Sequence, residues 1–200
     1  MDETLARILK LASDNPDYQS IANYLMSRRA YPSFQYMPVA SNAYGSFTAP
    51  GLFSNVPDRG IVNLPRNTIT TNPADVVPTI LHELTHATQH QLYKQYREIK
   101  NKKDQSDSEK QFIENFDKIM GAKPTEQIAK FSPEFAKKEV GYRSRGDEAL
   151  SHAIENANYP NSITTWSAPS HVDPTLATQV MLLLDQAQRV QNQQPQSQGR

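Results

Sequence analysis

The stretch His82-Glu83-Leu84-Thr85-His86 places two imidazoles four residues apart, with a carboxylate next to the first. On an α-helix, residues four apart stand one above the other on one face, so both rings can point at a single ion. Neutral imidazole is a good zinc ligand, and a carboxylate one step round the helix is suited to take a proton from water at such an ion. The helix itself is expected from local pattern. No glycine or proline interrupts Thr79 to Lys100, and Leu81, Leu84, Thr88, Leu92 and Ile99 recur at helical spacing. Pro78 is expected in the first turn, where its missing N–H costs nothing. The competing reading is a surface helix that happens to carry two histidines. Ile80, Leu81, Leu84 and Ala87 predict burial instead, and an unpartnered His-Glu-His set is costly to bury.

A catalytic zinc takes three protein ligands and keeps one position open. His90 is the nearest further histidine, but eight residues of helix rise about 12 Å, too far for His82, His86 and His90 to converge. A third histidine just beyond the helix would require a glycine turn and a histidine six residues after His86. Gln89 and Leu92 stand at those places, which excludes that arrangement. Glu148 is the preferred third ligand. It opens a helix whose Ala149, Leu150, Ala153 and Ile154 are core-like, where a lone buried glutamate is expensive unless paired or metal-bound. The alternative is a solvated glutamate stabilised by the helix dipole, a role that Asp147 already supplies. Glu155, two turns further on, is the fallback ligand.

The elements around these residues read as follows. Residues 2–13 and 17–29 are expected as two short helices separated by the turn Asn15-Pro16-Asp17. Residues 30–59 are rich in Pro, Ser, Asn, Gly and aromatics without a sustained period, and are expected as an irregular arm. Residues 60–64 and 66–71 are expected as short strands broken by Pro65, the second leading into the motif helix. Further helices are expected at 107–120, in shorter pieces at 125–130 and 133–139, after Gly146, and over about 173–190. The Gln-rich segment 191–200 is expected to be disordered. The cations Lys94, Arg97, Lys100, Lys102 and Lys103 suit a helix C-terminus followed by an acidic stretch, and need no anionic partner.

Composition narrows the class. With 200 residues the chain suits one domain with a real core, and 21 basic residues balance 21 acidic ones to a formal charge of zero. That balance argues against broad electrostatic capture of nucleic acid or an anionic membrane. Cysteine is absent, so any metal must be held by nitrogen and oxygen. Met1-Asp2-Glu3-Thr4 lacks a basic region followed by an apolar run, so no signal peptide is expected. No apolar stretch reaches membrane-span length. A cytoplasmic protein is expected, with incorporation into a larger particle such as a virion left open.

His82-Glu83-Leu84-Thr85-His86, followed by Asp147-Glu148-Ala149-Leu150-Ser151-His152, resembles the gluzincin metallopeptidases. That group pairs an HExxH helix with a glutamate ligand on a later helix. The thermolysin type is similar around the glutamate, and the anthrax lethal-factor type also places a tyrosine shortly before it, as Tyr142 stands here. The resemblance implies zinc bound by His82, His86 and Glu148, peptide-bond hydrolysis with Glu83 as general base, and Tyr142 stabilising the oxyanion. His152 stands where thermolysin-type enzymes carry an aspartate that orients a ligand histidine. An imidazole cannot do that as an anion, though it can accept a ligand N–H through its unprotonated nitrogen. His171, in a loop, is a second oxyanion candidate.

The expectation is therefore a mostly helical α+β, zincin-like metallopeptidase domain over 1–190, with N-terminal helices and an arm to 59 and a catalytic core over 60–190. Its substrate would be a peptide or protein, with an extended chain pairing along Thr68–Thr71. Two alternatives stand beside it. One is a binding or structural protein on a peptidase-like scaffold, touching a partner through residues 30–59 or the C-terminal helix. The other is a zinc hydrolase of a non-peptide amide.

Overall fold

The computed structural model describes residues 3–37, 45–50, 57–65, 73–120, 146–159 and 175–193. Six helices lie among them: α1 Glu3–Ala12, α2 Pro16–Ser27, α3 Pro73–Lys100, α4 Asp107–Ile119, α5 Gly146–Asn158 and α6 Thr175–Gln193. Three strands, β1 Ser33–Met37, β2 Ser46–Thr48 and β3 Ile61–Pro65, form one sheet in the order β1-β3-β2. The architecture is mostly helical α+β, as the sequence predicts. No described helix is long and apolar enough to cross a membrane.

The motif helix α3 is the organising element. Its 28 residues make a rod about 42 Å long, and it touches all five other described helices as well as β2 and β3. It begins at Pro73, earlier than predicted, so Pro78 lies inside the helix and not in its first turn. The missing N–H of Pro78 leaves one i→i−4 bond unmade, which a long helix packed on several sides tolerates. Its buried stripe, Val76, Val77, Ile80, Leu81, Leu84, Ala87, Leu92 and Ile99, confirms the expected apolar period.

The arm contains more order than its composition suggests. β1 pairs in parallel with β3, with Phe34 opposite Val62, and β2 pairs antiparallel with β3, with Phe47 opposite Val62. Asn63 on the central strand accepts from Gln35 on one side at 2.6 Å and donates to Thr48 on the other at 3.0 Å. Gly60 turns the chain into β3 with φ of +78°, and a Cβ there would lie 2.5 Å from the Phe47 ring. The first predicted strand is thus β3, whereas 66–71 lies outside the described residues, as do the predicted helical pieces at 125–130 and 133–139. α6 runs to Gln193, so residues 191–193, expected to be disordered, instead extend the helix beyond the buried Val190, and 194–200 lie outside the described residues.

Helix α5 brings the second set of site residues to α3. Leu150 to Ile154 and Glu155 are all buried, because α5 is sandwiched between α3 and α6. Its C-terminal end is tied to the start of α2. Asn15 caps α2 by accepting from the Tyr18 N–H at 3.0 Å and donates to Asn158 at 2.9 Å. Asn158 in turn donates to Asp17 at 2.8 Å, which fixes α5 along its axis.

Candidate metal centre

Helical spacing in α3 brings the two motif rings together as predicted. The Nε2 atoms of His82 and His86 lie 3.2 Å apart, with ring centroids at 4.9 Å. Two nitrogens bound tetrahedrally to zinc at 2.0–2.1 Å would be separated by about 3.3 Å, so this spacing fits one edge of such a site. Both rings are half-buried. Glu83, the next residue round the helix, is buried, and its carboxylate faces the chain just ahead of β2. A Cβ on Gly45 would stand 3.1 Å from Glu83 Oε1 and 2.7 Å from Thr79 Cγ2, so a larger residue there would force the Thr79 side chain to shift.

The far side of each ring meets α5. The Nδ1 of His82 lies 3.1 Å from Glu155 Oε2, and the Nδ1 of His152 lies 3.3 Å from the same oxygen. Glu155 is fully buried. Burial alone would raise its carboxyl, but hydrogen bonds from His152 and His82 outweigh that and hold it below the ordinary range. A carboxylate on Nδ1 fixes the ring so that Nε2 carries the lone pair, the usual device for orienting a metal-binding histidine. Glu155, the fallback ligand of the sequence reading, thus stands on α5 behind Nδ1 of His82. His152 packs edge-on against the His82 ring at 4.6 Å and supports Glu155.

The second ring has its own support. The Nδ1 of His86 lies 3.3 Å from Ser151 Oγ, and Gln89 Nε2 donates to that oxygen at 3.2 Å. Ser151 and Gln89 were not singled out in the sequence. The available signal was positional: Gln89 shares the face of His82 and His86 at i+7 and i+3, and Ser151 shares the face of Glu155 at i−4.

Glu148 lies in the first turn of α5, on the helix expected for it, with its side chain outside the described residues. Tyr142 and His171 also lie outside them. His90 stands one turn beyond His86, about 12 Å along the helix from His82 and so too far to join the pair, and is half-buried; burial, then Arg97 and Lys94, push its pKa down. Among the described residues, His82, His152 and Glu155 also offer ligand atoms within 4.8 Å of one another. An ion there would lie between α3 and α5.

Compared with protein-family models, curated proteins and solved structures, the chain finds no match in any of the three. The reading of the centre therefore rests on its own residues.

Proposed function

We propose that this chain is a zinc-dependent peptidase of zincin-like architecture, with His82 and His86 holding the ion through Nε2 and Glu83 acting as general base. The observation that carries the reading is the 3.2 Å approach of two Nε2 atoms on one helix face, with a buried carboxylate behind Nδ1 of His82. Bound zinc would supply a Lewis acid that polarises water and the scissile carbonyl. Glu83 takes a proton from the attacking water and delivers it to the leaving nitrogen. Gly45 leaves room beside that carboxylate. Glu155 and Ser151 hold the two rings in place from α5. Glu148 as third ligand and Tyr142 as oxyanion donor complete the reading on the strength of the motif resemblance. An extended peptide would pair with β2, an outer strand of the described sheet, which follows directly on Gly45 beside Glu83.

The cluster of His82, His152 and Glu155 favours a second reading, an enclosed structural ion in a binding protein on the same scaffold. Bound zinc and peptide hydrolysis measured on four proteins separate the two. Under the proposed function, wild type carries one zinc and cleaves peptides, His86→Ala loses the metal and His152→Ala keeps it. Glu83→Gln keeps the metal and loses about 10²–10⁴-fold in turnover. Stoichiometric zinc lost with His152→Ala but kept with His86→Ala, and no cleavage by wild type, would replace it with the structural reading.

A further inference from the structure

The polar atoms between α3 and α5 form one line: Gln89 Nε2, Ser151 Oγ, His86, His82 and Glu155 Oε2. With Glu155 as an acceptor at one end, the directions along the line follow for neutral imidazoles. Glu155 carries two imidazoles on one carboxylate oxygen and accepts, so His82 donates from Nδ1. A neutral His82 then offers only a lone pair at Nε2, and His86 must donate to it from its own Nε2 across 3.2 Å. His86 is left with a lone pair at Nδ1, which takes the Ser151 hydroxyl proton, and Ser151 accepts from the Gln89 amide. Each of these links then has one donor and one acceptor.

The metal-binding arrangement requires something different at one ring only. His82 already presents its lone pair at Nε2. His86 must move its proton from Nε2 to Nδ1, and its partner at Nδ1 must then accept where it had donated. A hydroxyl is suited to both tasks, because it turns about one bond and keeps two acceptor lone pairs. A carboxylate at that place would lock the metal-binding tautomer, and a backbone N–H would forbid it. Ser151 can send its displaced proton to the carbonyl one turn back on its own helix, as serines in helices do. The ring releases one proton from Nε2 and takes one at Nδ1, so the exchange is proton-neutral.

We infer that Ser151, held by Gln89, selects the tautomer of His86: it donates to Nδ1 in the metal-free protein and accepts from it when zinc is bound. Ser151 is thus a positioning residue, and the inference rests on the proposed zinc site. Because both residues are buried (0 % and 3 % exposed), solvent does not substitute for them.

The test uses the full chain at mildly alkaline pH, with histidine-ring nitrogen NMR and zinc affinity measured against a chelator. Wild type is expected to show His86 protonated at Nε2 without metal and at Nδ1 with zinc. Ser151→Ala should lower zinc affinity about 10–100-fold and leave the metal-free ring as a mixture of tautomers. Gln89→Met, which keeps side-chain length in a good helix former, should shift both readouts in the same direction by a smaller factor. It also stands in if Ser151→Ala fails to fold. Zinc bound by wild type with unchanged affinity and ring state in the variants would overturn this inference alone. A wild type that takes up no zinc would overturn the proposed function and this inference together.

Discussion

The two halves of α3 treat buried polar groups in opposite ways. In the C-terminal half, Gln95 accepts from the Tyr24 hydroxyl at 2.9 Å and donates to the Ala187 carbonyl at 2.8 Å. Tyr96 stacks on Phe116 at 4.2 Å and donates to Asp117 at 2.6 Å. Donors there end on acceptors of fixed type, and the aromatic layer of Tyr93, Tyr96, Phe112 and Phe116 excludes water. In the N-terminal half, two like atoms, Nε2 and Nε2, are turned toward each other. Their bond depends on which ring holds a proton, and that choice is set from α5. The first pattern builds stability that needs nothing further. The second stays satisfied and yet can be reconfigured, which is what a binding site requires of a buried network.

If this contrast is right, substitutions in the two halves should separate stability from metal binding. Phe116→Ala should produce the largest change in folding, about 3–5 kcal/mol in denaturant melts, with zinc stoichiometry intact in the fraction that remains folded. Loss of zinc from that folded fraction would mean that the halves are coupled. Glu155→Gln should act the other way. It keeps side-chain volume but removes the anionic acceptor behind His82, so zinc affinity should fall about 10–100-fold by chelator competition. Gln95→Met strands the Tyr24 hydroxyl and the Ala187 carbonyl; calorimetry should register about 1–3 kcal/mol of lost stability, with zinc affinity unaltered.

A smaller effect is expected outside α3, at the start of α4. Ser106 and Glu109 form a reciprocal cap, and Glu109 also meets Lys102. Burial pushes the Glu109 carboxyl up, but the bonds from Lys102 and Ser106 prevail and hold it below the ordinary carboxyl range. A depressed carboxylate contributes stability above its unfolded pKa, and that contribution is lost as pH falls through the folded value. Ser106→Ala should cost about 1 kcal/mol at neutral pH, a deficit that shrinks in acid melts as Glu109 protonates. The smallest effect expected is that of His90→Ala. It should leave bound zinc unchanged by metal analysis, since His90 lies beyond reach of the nitrogen pair; its loss would discard the ligand set.

Legibility in the sequence followed the range of the interactions. The helix, its buried stripe and the pairing of His82 with His86 are consequences of spacing within one turn, and these were readable. The mostly helical α+β class was also readable, because the long apolar periods of α3, α4 and α6 are local. The strands β1 and β2 were hidden within residues 30–59. Each is short, and each owes its existence to pairing with β3 rather than to alternation in its own residues. Glycine 45 could not be read as a site residue at all, since its meaning is the space it leaves for Glu83.

What the sequence settled by itself was a face: His82 and His86 on one helix with Glu83 beside them, and Glu148, His152 and Glu155 on another. Helical period can align residues 148, 151, 152 and 155, yet it does not say which of them stands level with the histidines, because that depends on how far α5 slides along α3. The Asn15–Asn158–Asp17 bonds at the end of α5 and its packing between α3 and α6 set that height. Only the folded chain therefore decided that Glu155 backs His82 and Ser151 backs His86.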